Sequence, residues 1–391
     1  MIYLCAFGLS LLAVLALTPA VRSLATRLRF LDHPNRSKVH LKPTPLMGGI
    51  AVALASLASA AAALALIQCP YSARIVGFMS GGLMVVVLGL ADDANGMRPA
   101  VKLTGQTVAA AVMLLSGGVE GLPVPMVIGF PVALLWMVGL MNAFNFLDNM
   151  DGITTGLAAI ASFGIFSLAL GNGHMVTAIA AIAVAGGALG FLRYNFWPAS
   201  IFLGDAGSLF LGYVVGGLSL RAVAGAEAGS TSLLLPVLML GYPIFDAFLV
   251  TASRVLDGRD VATGGKDHSS HRLARLGMSP RQTASTIYLI SASLTGAAIY
   301  LSFLSSGGPS LVAVATIAAV VGMAFLGLRL VRVPVPEKAL AVLRKMRFES
   351  AVVEPDDEDL LILTLPPRER SSELEKPAEA PEKPKETVEV R

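Results

Sequence analysis

The chain has 391 residues, of which 55% are hydrophobic and 14% charged, against about 25% charged in a soluble domain. That balance excludes a soluble enzyme, a coiled coil and a disordered scaffold. The net charge of +3 divides unevenly: residues 1–332 hold 19 Lys+Arg and 12 Asp+Glu, residues 333–391 hold 10 and 14.

Apolar runs of about the 20 residues needed to cross a bilayer recur through the first 330 residues. They predict eleven helical spans, roughly 2–21, 47–67, 74–91, 103–118, 126–143, 153–171, 174–192, 206–221, 232–253, 283–304 and 309–330. The runs are too long and too evenly apolar for barrel strands, so the expected fold is all-α integral membrane. Basic residues follow the first run rather than precede it (Arg22, Arg27, Arg29), which argues for a retained span with an outer N-terminus over a cleaved leader. With that orientation the inner connections carry 15 Lys+Arg and the outer ones only Arg74 and Arg221. The C-terminus is then cytoplasmic. Two domains are expected: a membrane body, 1–332, and a tail, 333–391. The basic, apolar stretch 336–348 could lie on the membrane surface, and the acidic, Pro-rich part after about 354 is expected to be disordered.

Four inner-face segments carry polar chemistry. Asp92-Asp93 closes the third span and is followed by Lys102. Adjacent carboxylates near hydrocarbon suit a proton acceptor or a cation site, and Asp-Asp-Ala-Asn-Gly also suits a turn. Asn142, Asn145, Asp148 and Asp151 recur every third residue up to Gly152, a spacing that predicts a polar stripe on one helix face ending at a glycine stop. Hard oxygen donors without a neighbouring cation suit Mg²⁺. Phe202-Leu-Gly-Asp205-Ala-Gly-Ser208, preceded by Tyr194-Asn195, opens the eighth span. There Asp205 could be an N-cap, and glycines would let a phosphate approach the helix end. Gly265-Lys-Asp-His268-Ser-Ser-His271-Arg272 is a compact cationic loop suited to a pyrophosphate; zinc fits poorly for want of further ligands. Asp246 lies inside the ninth span with Arg254 eight residues on, and is read as structural. His33, His40 and His174 are read as surface residues. Cys5 and Cys69 form no framework.

This combination fits a phosphotransfer between a soluble donor and a membrane lipid. A transporter is the rival class, but its polar groups would gather near the midplane, whereas these gather at one face. At these residues the chain resembles the polyprenyl-phosphate N-acetylhexosamine-1-phosphate transferase family, over about residues 32–280, and Pro43-Thr-Pro-Leu-Met-Gly-Gly49 adds a weaker match. The resemblance implies that a UDP-N-acetylhexosamine and a polyprenyl phosphate give polyprenyl-diphospho-sugar and UMP. It implies Mg²⁺, with Mn²⁺ as the alternative. It makes Asp205 and Asn145 the metal ligands, Lys102 a pyrophosphate contact and Asp92 or Asp93 the base. Asp151, Asn195 and Phe202 fall near the uridine, with the Phe202 ring stacking on uracil. Asp148 and Lys42 count as further substrate contacts. His268, His271 and Arg272 match a histidine loop that holds diphosphate and sugar. Ser270 stands where many members have a middle histidine, and Ala94 where the peptidoglycan enzyme often has a third aspartate. These departures favour a simple amino-sugar donor over the phospho-MurNAc-pentapeptide reaction; UDP-GlcNAc is the donor expected, with another UDP-amino sugar as the alternative. The setting implied is the bacterial inner membrane, with a homodimer allowed, no nucleic acid partner, and a cell-envelope glycan as the product's destination.

Overall fold

The computed structural model describes residues 1–33, 43–122, 124–225, 231–260, 265–303, 322 and 327–329. The expectations for Lys42, His40, most of the eleventh span and the tail lie outside these residues.

Helices dominate. α1 (Ile2–Arg27) leads to a two-stranded antiparallel ladder, β1 (Leu31–Asp32) with β2 (Thr44–Pro45), in which Leu31 pairs Pro45 and Asp32 pairs Thr44. Then come α2 (Gly48–Leu66), α3 (Ala73–Asn95), α4 (Pro99–Met113, widening into a π-helical turn at Leu114–Gly118), α5 (Met126–Leu147), α6 (Ile153–Gly171) and α7 (Met175–Asn195). The last group is α8 (Gly204–Ala222), α9 (Leu234–Met239), α10 (Gly241–Leu256), α11 (Ser269–Arg275) and α12 (Pro280–Phe303).

Among the described residues, eight helical segments are long and apolar enough to cross a bilayer: α1, α2, α3, Pro99–Gly118, α5, α6, α7 and α12. Their outward faces are apolar as well. Leu12, Val87, Leu135 and Leu289 are all more than 60% exposed, which suits a lipid surround and not water.

α8 organises the bundle. Every residue in it except Asp205 and Arg221 is buried, and it packs against α2, α3, α5, α6 and α7. Such a helix needs no lipid-facing stripe, so it can carry glycines and charges that dilute its hydropathy. Small residues let its neighbours come close. A Cβ at Gly49 would fall 2.1 Å from the Gly207 nitrogen, and one at Gly89 2.4 Å from the Ala206 Cα. On the opposite side a Cβ at Gly212 would meet the Met141 Cα at 2.6 Å. Two side chains then pin the depth of α8: Tyr213 Oη donates to Phe78 O at 3.0 Å, and Trp136 Nε1 to Ser219 Oγ at 3.1 Å.

Several sequence expectations need correcting. The ninth run is not one helix: it breaks between α9 and α10 at Leu240–Gly241. Pro236 and Pro243 withdraw backbone donors on either side of the break, a punctuation that hydropathy reads through. The connection 254–282 contains α11, and the connection 22–46 contains the ladder. α3 runs on to Asn95, past the expected end at 91, and Asp92 and Asp93 close it from its last turn. α5 stops at Leu147, and Gly152, at φ 79°, opens α6. The polar stripe therefore leaves the helix halfway along.

Gly212→Val should overpack the α5–α8 contact and lower stability by about 1–3 kcal/mol. A fall in the thermal midpoint of the detergent-purified protein checks this.

Candidate active site

The site is built around the N-terminus of α8. A helix start leaves orphan N–H groups, and here Asp93, from the end of α3, accepts two of them: Asp205 N at 2.8 Å on Oδ1 and Ala206 N at 3.1 Å on Oδ2. Gly204 makes this approach possible. Its φ is +73°, and a Cβ would fall 2.6 Å from Asp93 Oδ2. Asp205 is thus not the cap; Asp93 is, from another helix. The same contact fills the place at the helix end where a phosphate was expected.

Freed from capping, Asp205 turns to Lys102. The Lys102 ammonium lies 2.6 Å from Asp205 Oδ2, 2.7 Å from Asp92 Oδ2 and 2.9 Å from Asn145 Oδ1. Asn145 Nδ2 in turn donates to Asp205 Oδ1 at 2.7 Å and to Ser208 Oγ at 2.9 Å. Four elements therefore meet at one point: α3 through Asp92, α4 through Lys102, α5 through Asn145 and α8 through Asp205. Asp92 is held in place by accepting from Met97 N at 2.6 Å. Among the described residues no three His, Cys, Asp or Glu side chains gather as a metal site, so a cation here would take Asp205 and Asn145 as protein ligands, with Asp92 beside them. The position of the ammonium supports such a donor set, since three oxygens already converge on one positive charge. Mg²⁺ favours one or two carboxylates completed by water and substrate phosphate.

Not all of the polar series joins this point. Asn142 pairs with the fully buried Gln106 on α4, its Nδ2 donating to Oε1 at 2.7 Å. It braces α4 against α5. Asp148 lies just past the end of α5; burial, with the charges of Asp205 and Asp93 nearby, holds its carboxyl well above the ordinary range. Asp151 accepts from Ala199 N at 2.8 Å. Asn195 is buried, its Oδ1 accepting from Thr155 Oγ1 at 2.8 Å and its Nδ2 donating to Ile201 O at 3.2 Å. Asp151 and Asn195 thus hold the segment 196–203 from two sides. Phe202 completes the clamp by its backbone: its N–H donates to Pro45 O at 2.8 Å and its carbonyl accepts from Gly48 N at 3.0 Å. Its ring is half-buried.

The histidine loop is braced by carboxylates that the sequence reading left apart from it. Asp246 on α10 is fully buried. Its Oδ2 lies 2.8 Å from His268 Nδ1, and its Oδ1 accepts from Ser269 N at 2.7 Å and from the Ser269 hydroxyl. Tyr242 Oη reaches the same hydroxyl at 2.8 Å. A carboxylate on Nδ1 fixes the ring and leaves Nε2 for other work. The His268 ring stands edge-on to Phe146, centroids 6.2 Å apart, which brings it beside the Asn145 turn. Ser270 donates to Asn149 Oδ1 at 2.7 Å, a second tie to that turn.

Arg254, eight residues after Asp246, grips Asp267 in a bidentate pair, Nε to Oδ2 at 2.8 Å and Nη2 to Oδ1 at 2.7 Å. Two expectations about this loop change. Arg272 does not face an open site. It is 1% exposed, and its guanidinium donates to Asp267 O at 2.8 Å, Ser253 Oγ at 3.0 Å and Leu328 O at 2.8 Å. His271 also departs from a cationic cluster, because burial and then the charges of His268 and Lys266 push its imidazole down to about 4. It is neutral at pH 7. Gln106, Thr155 and Tyr242 escaped the sequence reading entirely; each is a commonplace polar residue in an apolar run, with no spacing to mark it. Ser208 and Ser269 fell inside quoted motifs but were given no role. His174 is half-buried, with Nε2 2.7 Å from Ala224 O.

Several known proteins are similar to this chain in sequence. Residues 75–223 match glycosyl transferase family 4. A Bacillus subtilis protein named a probable undecaprenyl-phosphate N-acetylglucosaminyl 1-phosphate transferase is 35% identical over 295 residues, 73% of this chain and 81% of that one. A decaprenyl-phosphate N-acetylglucosaminephosphotransferase of Mycolicibacterium smegmatis is 31% identical over 305 residues, 69% of this chain and 74% of that one. A phospho-N-acetylmuramoyl-pentapeptide-transferase of Desulforudis audaxviator is 34% identical over 261 residues, 56% of this chain and 75% of that one.

The braces behind the histidines generate two expected outcomes. Arg254→Gln or Asp267→Asn breaks this buried pair and should cost about 3–5 kcal/mol, less for Arg254→Gln because Arg259 Nη1 still lies 3.3 Å from Asp267 Oδ2, while Arg254→Met with Asp267→Leu recovers much of the loss; thermal midpoints of the three proteins check it. Stability should also decline with acid. His271 takes its proton near 6.5 when unfolded but only at about 4 when folded, so unfolding gains ground as pH falls through that interval. Asp267 adds a second loss at lower pH. Burial alone would raise its carboxyl, but the Arg254 guanidinium more than offsets this and holds it below the usual range, so its contribution, present above that range, goes as pH falls through the depressed value. Midpoints from pH 8 to pH 4 should show the first decline flattened in His271→Gln.

Proposed function

Because the chain belongs to the polyprenyl-phosphate N-acetylhexosamine-1-phosphate transferases of glycosyl transferase family 4, we propose that it transfers N-acetylglucosamine 1-phosphate from UDP-GlcNAc to undecaprenyl phosphate, releasing UMP. One observation carries the reading: Asp92, Lys102, Asn145 and Asp205, brought from four helices, meet at a single charged point. A membrane-embedded bundle with such a point at one end can bring together a soluble diphosphate and a lipid phosphate. The bias of basic residues supports a cytoplasmic placement of that end in the bacterial inner membrane.

The reaction is a displacement at phosphorus. An oxygen of the lipid phosphate bonds to the β-phosphorus of the donor, the bond from that phosphorus to the bridging oxygen breaks, and the electron pair leaves with UMP. Holding both substrates at one point supplies the entropic advantage of proximity. The Lys102 ammonium neutralises charge on the diphosphate as the leaving oxygen gains it. Mg²⁺ held by Asp205 and Asn145 would supply further charge neutralisation at the phosphates. Asp92 or Asp93 is the candidate acceptor for a lipid phosphate proton: Asp93 holds the start of α8 with both oxygens, and Asp92 accepts from Met97 N and faces the Lys102 ammonium. His268, oriented by Asp246, offers Nε2 to the diphosphate or sugar. Phe202 presents its ring for uracil from a backbone clamped at both ends.

The test is UMP release by the purified protein with undecaprenyl phosphate, Mg²⁺ and either UDP-GlcNAc, UDP-GalNAc or UDP-MurNAc-pentapeptide. Release that needs the lipid and prefers UDP-GlcNAc is expected; release only with the pentapeptide donor would replace the reading. Asp205→Ala should lower kcat by about a hundredfold or more, the scale for losing a dominant electrostatic contact, without loss of the folded protein. EDTA should abolish release and added Mg²⁺ restore it.

A further inference from the structure

A chamber lies at the end of the bundle away from the carboxylates. Asp205 is at the start of α8 and Arg221 in its last turn, so about 24 Å of helix separate the two. Around Arg221, helices α2, α3, α7 and α8 part to leave a cavity of about 530 Å³, within the ~300–1,000 Å³ of ligand sites. Its walls are apolar, with Leu57, Leu64, Phe78, Met79, Val184 and Leu218 among them. Along α2 it extends from Leu64 down to Ser56, about 12 Å.

The polar groups of this chamber are unevenly satisfied. Arg74 and Arg221 stand at its mouth. Glu120 answers Arg74 with its carboxylate and Arg221 with its backbone carbonyl, at 2.6 Å. Two guanidiniums therefore share one acid. The Arg74 side chain is only partly buried, and its Nε has no hydrogen-bond partner among the described residues. Phosphate oxygens suit the fork that Arg presents.

An apolar chamber about 12 Å deep with surplus cationic donors at its rim has the form of an amphiphile site. We propose that it binds an anionic glycerophospholipid of the surrounding membrane, with one acyl chain in the chamber and the phosphate on Arg74 and Arg221. Free phosphate would satisfy the rim and leave the walls empty. A zwitterionic lipid would fill the walls and bring its own cation to a rim already positive. The site does not rest on the transfer reaction, and its occupant is a resident lipid and not a substrate.

The experiment is thermal unfolding of the full chain in detergent with added palmitoyl-oleoyl phosphatidylglycerol, the matched phosphatidylcholine, or inorganic phosphate. Phosphatidylglycerol should raise the midpoint by about 3 °C or more, and the other two should leave it unchanged. The gain should vanish in Arg74→Gln/Arg221→Gln, which empties the rim, and in Ala180→Phe, which fills the chamber. Each gain is read against that variant's own lipid-free midpoint, and retained UMP release shows that the variants are folded. An equal gain from phosphatidylcholine or from phosphate overturns the proposal. So does a phosphatidylglycerol gain that survives in the rim variant.

Discussion

A helix that starts inside a packed bundle must find acceptors for its first N–H groups, and in this protein one carboxylate from another helix supplies two of them. Asp93 closes the start of α8, and the rest of the site follows from that contact. With its cap supplied externally, α8 can begin on a glycine at positive φ, and its second residue, Asp205, is free to face Lys102. The approach demands close packing of α3 on α8, and Gly89 provides it one turn before the Asp pair. Gly49 and Gly212 do the same on other sides. Its own glycines, Gly207 and Gly212 among them, lower the hydropathy of α8 but make it the shaft on which five other helices are positioned.

Charge is arranged in two layers behind this shaft. In front, Asp92, Asp205 and Asn145 surround one ammonium. Behind, the histidine loop is held by acids that never reach the front: Asp246 on His268 and Asp267 on Arg254. Tyr242, Ser253 and Asn149 complete the bracing. A connection of 23 residues between α10 and α12 could not by itself place an imidazole to a fraction of an ångström. Deep carboxylates anchored on a helix can, since desolvated hydrogen bonds are strong when every member is satisfied.

The membrane class and most of the helices were legible because hydropathy is a long-window signal, and most helices begin or end within a few residues of the expected places. The site's principal members were legible for a different reason. Aspartate and asparagine at the ends of apolar runs are costly unless used, so their presence alone marks them. What was illegible is direction. Spacing put Asn142 and Asn145 on one face but could not show that Asn142 would turn to Gln106. Arg272 reads as a phosphate ligand in a basic loop, yet Asp267, Ser253 and Leu328 take its donors. The break at Leu240–Gly241 was lost because a window averaged over two prolines reports their apolar neighbours. Asp246 and Asp267 were visible as residues, but their partners lie 22 and 13 positions away, beyond any local pattern.

Asp92 and Asp93 are adjacent in the chain and look interchangeable, yet they answer to different neighbours. One oxygen of Asp92 faces a lysine ammonium and the other the Met97 peptide N–H; both oxygens of Asp93 face the peptide groups of a helix start. Mutational scans that score only product would record the pair as equivalent, since either loss would empty the assay. An inactive variant at position 93 reports first on whether α8 still begins where it should. A fold-sensitive readout has to accompany every kinetic one at that position, and a dead enzyme there is not by itself evidence about proton transfer.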